Sequence, residues 1–121
     1  MSYKKPDNKD LEAMIGIVGK NYATGNDAIC ASYLSKSVMG LEPQIPDIVV
    51  HPKYPEEIRK ILVYCSQEKI PVSPISGGLS GGFACPLIRP GGVVLDLSRM
   101  DRIIEIDTEN RIAIIEPGVT L

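Results

Sequence analysis

Apolar residues recur three and four positions apart along NKDLEAMIGIVGK (residues 8–20), so that Leu11, Met14, Ile15 and Val18 line one side of a predicted helix. Asn8 or Asp10 stands where a cap belongs, and Gly19 where a helix stops. Residues 26–34 predict a second, short helix with Asn26 or Asp27 near its start. From Ser35 to Pro46 the periodicity fades, and Gly40, Pro43 and Pro46 read as a connection.

The pattern then sharpens. Ile48-Val49-Val50 predicts a short strand that breaks at His51-Pro52. Pro55 suits the first turn of a helix, which tolerates a missing N–H, and Glu56 and Glu57 suit its positive end. Ile58, Ile61, Leu62 and Cys65 give that helix, over about 55–68, one buried stripe. Ile70-Pro71-Val72 opens a second extended segment. Strand, helix and strand make a βαβ unit, whose usual product is a parallel pair. Val93 to Leu97 predicts a third strand. Arg102–Asp107 and Arg111–Glu116 flank the polar turn Thr108-Glu109-Asn110 as a hairpin, and Pro117-Gly118 turns the chain away.

Composition narrows the function classes. With 121 residues, 44% apolar and 23% charged, the chain has the balance of an ordinary globular unit. A net charge of −2, with no basic patch larger than Lys4-Lys5 and no aromatic ladder, argues against nucleic-acid binding. No apolar run approaches the ~20 residues a membrane span needs. The opening MSYKKPDNKD lacks the apolar core of a signal peptide. Cys30, Cys65 and Cys85 are odd in number and widely spaced, as in a reduced, intracellular protein. Cytoplasm is the expected location. His51 is the single histidine, placed at a strand exit, and too isolated to anchor a metal cluster. Asp96 lies in an apolar strand and needs polar partners if buried, and Glu56 with Lys60 forms an i,i+4 surface pair.

The candidate chemistry lies in PISGGLSGGFACP, residues 74–86. Glycines there let the backbone approach a ligand closely, and successive N–H groups in such a turn converge on an anion. The loop follows a predicted strand, at the strand end where α/β sheets gather ligands. Two nucleotide motifs fail: Gly82 is followed by Phe83 rather than the lysine of GxxxxGK[ST], and Pro86 bars the helix that GxGxxG requires. On these residues alone the loop is either a plain turn or a phosphate cradle.

Five blocks in order, PDIVVHPKYPEEIRKIL, EKIPVSPISGG, LSGG, GGVVLDLSRMDRIIEID and IIEPGVTL, carry a more specific signal. They resemble the first half of the FAD-binding domain of the vanillyl-alcohol-oxidase and para-cresol-methylhydroxylase superfamily, most of all glycolate oxidase FAD subunits and FAD-linked D-lactate dehydrogenases. The resemblance implies an α/β (α+β) fold, a short parallel βαβ unit plus a hairpin with flanking helices. Residues 1–42 would form an N-terminal helical segment and connecting loop. Residues 43–121 would form the first subdomain of the flavin domain, incomplete at its C-terminus.

The implied cofactor is FAD, cradled at its pyrophosphate by Ser76, Gly77, Gly78, Leu79, Ser80, Gly81 and Gly82. Pro74 would shape the entrance, and Pro117, Gly118 and Val119 would match the family's turn near the flavin. Two departures bear on this. Ile75 replaces an arginine in a loop about two residues shorter than usual, and Leu79 stands where covalently flavinylated members carry histidine. FAD is therefore expected without a covalent link, held weakly or not at all by this chain alone.

No catalytic residue is expected. The implied function is the FAD-binding portion of an oxidoreductase acting on a 2-hydroxy acid. The alternatives are a non-catalytic interaction or scaffolding subunit that has lost FAD, and a stand-alone nucleotide-binding domain. The expected partner is either a second copy or a polypeptide completing the flavin domain, and an electron-transfer partner is a further candidate.

Overall fold

The computed structural model describes residues 2–34, 44–77 and 91–120. Helix α1 spans Asn8–Val18, strand β1 Ala23–Thr24 and helix α2 Asp27–Ser32. Strand β2 (Ile48–Val50), helix α3 (Pro55–Glu68) and strand β3 (Val72–Ile75) follow, then β4 (Val93–Asp96), β5 (Ile103–Asp107) and β6 (Ile112–Ile115). No described helix is long and apolar enough to cross a membrane.

Local chemistry sets the helix ends. Asp7, rather than Asn8 or Asp10, caps α1: its carboxylate accepts the Lys9 and Asp10 N–H groups at 2.9 and 3.1 Å. Asp10 lies inside the helix at its third position and returns the bond, accepting the Asp7 N–H at 2.9 Å. Gly19, at φ 98°, ends α1. Asn26 caps α2, which is shorter than 26–34, and Pro55 opens α3 as expected. On α3 the guanidinium fork of Arg59 takes Glu56, with Nε at 3.0 and 2.9 Å from its two oxygens. The expected Glu56–Lys60 pairing gives way to this bidentate one.

Four strands form a mostly parallel sheet in the order β1-β2-β4-β3. The βαβ unit is parallel, but its strands are not neighbours: β4 lies between them. Val93 and Leu95 pair with Ile48 and Val50 on one side and with Val72 and Pro74 on the other. Sheet side chains alternate between two covered faces. Ile48, Val50, Val93 and Leu95 pack with Met14 and Val18 of α1 and Ile61 and Cys65 of α3. Val49 and Val94 face the opposite way, against Cys30 of α2, Tyr33 and Ile75. Cover on both faces explains why β2 and β4 read as unbroken apolar runs. Burying a side chain such as Met14 or Ile61 stabilises the fold by roughly 1.5–3 kcal/mol. On α3 the buried stripe is narrower than predicted, because Leu62 stays largely exposed.

β5 and β6 form a separate antiparallel hairpin, with Ile103 opposite Ile115 and Asp107 opposite Ile112. Its turn is closed by Asp107, whose carboxylate accepts the Asn110 N–H at 3.0 Å. Cys30 and Cys65 are buried free thiols, and Cys85 lies outside the described residues.

Candidate functional site

Because β3 and β4 run parallel, both end at the same edge of the sheet. β3 leads through Ser76 to Gly77. β4 ends at Asp96, one residue earlier than predicted, because the Asp96 carboxylate accepts the Ser98 N–H at 3.0 Å. The chain then folds into a single helical turn, Leu97–Arg99. The hairpin brings residues 116–120 back against that turn, where the Gly118 N–H donates to Met100 O at 2.7 Å.

Gly118 is tightly enclosed. A Cβ there would lie 2.8 Å from Met100 O and 2.9 Å from Ser98 O, and closer still to Leu97 O. Only a residue without a side chain lets the hairpin exit rest on these carbonyls. The result is a cleft of about 450 Å³ lined by Gly77, Ser98, Asp101, Ile103, Gly118, Val119 and Thr120. A Cβ on Gly77 would point into it, 3.3 Å from Thr120 Cγ2.

Of the residues singled out from sequence, Gly77, Gly118 and Val119 meet in this cleft, although about forty positions separate the first from the others. Pro74 pairs with Leu95 from the edge strand β3 and is exposed, and Ser76 and Pro117 are exposed beside the cleft without lining it. Gly78, Leu79, Ser80, Gly81 and Gly82 lie outside the described residues. Ser98, Asp101, Ile103 and Thr120 were not foreseen. The signal for Ser98 is Asp-x-Ser at 96–98, a side-chain-capped turn that interrupts an apolar run.

None of the lining residues is Lys or Arg, and the one ionisable side chain among them, Asp101, is a carboxylate. Arg99, the nearest candidate in the turn, faces away, donating to His51 O at 2.7 Å with its guanidinium 3.3 Å from the Tyr22 ring centre. The Ser98, Gly118 and Val119 N–H groups are already donated to Asp96, Met100 and Glu116, so an anion here would be held chiefly by the Ser98 and Thr120 hydroxyls. Ile75 packs into the Cys30–Val49–Val94 cluster and offers no charge. The glycines leave room and the hydroxyls offer donors for a phosphate, while the Asp101 carboxylate opposes one, and 450 Å³ accommodates only part of a dinucleotide.

Behind the turn, burial pushes the Asp96 carboxyl up, but hydrogen bonds from Ser98 and Tyr33, with His51 nearby, hold it below the usual aspartate range. Burial pushes the Cys65 thiol up to about 11, so it is unreactive. Among the described residues no cluster of three His, Cys, Asp or Glu side chains could hold a metal.

Residues 46–121 match the model of a family described as an FAD binding domain. An uncharacterised FAD-linked oxidoreductase of Mycobacterium tuberculosis is 33% identical over 87% of this chain and 23% of its own length. A glycolate oxidase subunit of Bacillus subtilis is 43% identical over 62% of this chain and 16% of its own. The crystal structure of p-cresol methylhydroxylase with substrate bound superposes with a TM-score of 0.81 at 30% identity, over 93% of this chain and 22% of that one. The chain thus spans about a quarter or less of the length of these proteins. It belongs to the FAD binding domain family, within the oxidase superfamily of p-cresol methylhydroxylase and related to glycolate oxidase and D-lactate dehydrogenase subunits.

Proposed function

We propose that the cleft between Gly77 and Gly118–Thr120 receives the pyrophosphate of FAD, and that the chain is the cofactor-binding portion of an oxidoreductase acting on a 2-hydroxy acid. The observation that carries the first half is the convergence of Gly77, Ser98 and Gly118 at the C-terminal ends of parallel strands. Relatives named as a glycolate oxidase subunit and as D-lactate dehydrogenases support the second half. When bound, the flavin supplies the hydride-accepting chemistry. The chain's own residues bind and orient: Gly77 leaves room for the phosphates, Ser98 and Thr120 offer hydroxyls, and Gly118 fixes the wall behind them.

Neither Asp101 nor His51 is assigned a catalytic part. A polypeptide carrying the remainder of the flavin domain would supply the substrate contacts. The bare hairpin favours a second reading, a scaffolding subunit that keeps the fold without the cofactor, because its exposed isoleucines suit an interface.

Titrating FAD into the purified chain, followed by quenching of flavin fluorescence, separates the two. Saturable binding is expected, weakened at least tenfold by Gly77→Val, with the melting temperature of the cofactor-free protein little changed. Equal affinity in Gly77→Val would remove this cleft from the site, and no binding at all would favour the scaffold. The binding is noncovalent, so acid precipitation should leave the flavin in the supernatant. Colour retained in the pellet would contradict that.

A further inference from the structure

The face of the turn Leu97–Arg99 that points away from the cleft is tied to two other elements. Asp96 Oδ1 accepts the Ser98 N–H, while Oδ2 accepts the Tyr33 hydroxyl at 2.6 Å and lies 3.6 Å from His51 Nδ1. Tyr33 Oη stands 3.5 Å from His51 Nε2, and the two rings meet edge-on. Tyr33 follows α2, His51 follows β2 and Asp96 ends β4, so three separate segments converge on one carboxylate. Arg99 closes the other side through His51 O and the Tyr22 ring.

We propose that Tyr33, His51 and Asp96 are positioning residues for the cofactor cleft, holding the turn Leu97–Arg99 in the one arrangement that seats Gly118 and presents Ser98. The inference rests on the reading of the cleft given above. Its mechanical basis is short. A carboxylate that caps a turn by itself rotates and frays, whereas one whose second oxygen is fixed by a half-buried tyrosine keeps its first oxygen on the Ser98 N–H. The carbonyls of Leu97, Ser98 and Met100 then stay aligned around Gly118, with less than a methyl group's space to spare. Tyr33 acts as a donor throughout, since burial and the adjacent Asp96 push its hydroxyl pKa well above the usual value.

The test compares Tyr33→Phe, which removes only the hydroxyl, with Tyr64→Phe. The second variant deletes a similar bond, Tyr64 Oη to Asp10 at 2.8 Å, elsewhere in the molecule. Two readouts are taken on the whole chain: amide hydrogen exchange and FAD affinity. In Tyr33→Phe, exchange at Ser98, Met100 and Gly118 should quicken while the amides of β4 keep their protection, and FAD binding should weaken roughly five- to tenfold. Tyr64→Phe should lower the melting temperature and leave both readouts unchanged. Asp96→Asn, which keeps one accepting oxygen where the network uses two, should quicken exchange at Ser98 and Gly118 at least as much as Tyr33→Phe, and it serves if Tyr33→Phe does not fold.

Unchanged exchange at Ser98 and Gly118 would overturn the proposal. So would faster exchange with unaltered FAD affinity in a chain whose binding is sensitive to Gly77→Val, because the network would then be structural only. A wild-type chain that binds no FAD would overturn both this proposal and the cleft assignment.

Discussion

Asp10 is a wholly buried carboxylate, and its partners account for the burial. Lys4 Nζ lies 2.9 Å from it, the Tyr64 hydroxyl donates at 2.8 Å, and the Asp7 N–H completes the set. Through these bonds one side chain completes the capping box that Asp7 begins, fastens the segment before α1 and joins α1 to α3. Burial pushes the Asp10 carboxyl up, but the bonds from Lys4, Asp7 and Tyr64 outweigh it and hold the pKa below the ordinary value. The sign follows from linkage. A carboxylate with a depressed folded-state pKa stabilises the fold fully above its unfolded pKa, about 4, and that stabilisation is lost as pH falls through the folded value. Asp10→Asn should therefore destabilise the protein at pH 7 by about 2 kcal/mol, since the Lys4 ammonium would be left without its main partner while still partly hydrated. The deficit should shrink as pH drops below 4. Urea unfolding of both proteins at pH 7 and pH 3 measures it, and a gap of the same size at both pH values would show that the charge on Asp10 contributes nothing.

Among the elements, the hairpin depends most on its base. Glu116 is buried there and accepts the Arg102 N–H at 2.9 Å and its guanidinium at 3.0 and 2.7 Å, while the Glu116 N–H returns a bond to Arg102 O. The clamp delivers Pro117-Gly118 to the turn after β4. Gly118→Ala should force that contact open, destabilising the protein by about 1–3 kcal/mol and weakening FAD binding in step. A variant with full stability and affinity would show that the backbone there yields freely. The helices and the hairpin were legible in the sequence because their signals are local: i, i+3, i+4 spacing for α1 and α3, and a polar turn between β-branched runs for β5 and β6. The place of β4 between β2 and β3 was not, because strand order depends on contacts far apart in the chain that alternation does not encode. The same limit applied to the cleft. Gly77 and Gly118 stood out through the family likeness, whereas Ser98 and Thr120 join them only once β4 has ended in a turn.

At the scale of the whole molecule, the four-stranded sheet is covered on both faces, whereas among the described residues nothing covers the hairpin on either face. Ile103, Ile104, Ile106 and Ile112 are each more than half exposed, at 58, 59, 63 and 56%. Ile114 and Ile115, on opposite faces of β6, are also exposed. A two-stranded hairpin is marginal by itself in water, and contiguous exposed apolar surface of this kind marks an interface. Charged residues that would guard against association are few here: Glu105 is the one charge within the two strands apart from Asp107 at the turn. The purified chain should accordingly self-associate, and a polypeptide carrying the remaining part of a flavin domain should displace the second copy. Replacing Ile104 and Ile114 with threonine keeps the β-branched shape that strands favour while removing apolar area. In sedimentation velocity over a hundredfold range of concentration, the wild-type sedimentation coefficient should rise with concentration and that of the double variant should stay flat. The melting temperatures of the dilute proteins should be similar, since these side chains contribute little to either core cluster. A wild-type chain that stays monomeric across the range would defeat the prediction, because its apolar hairpin would then be stable in water without a cover.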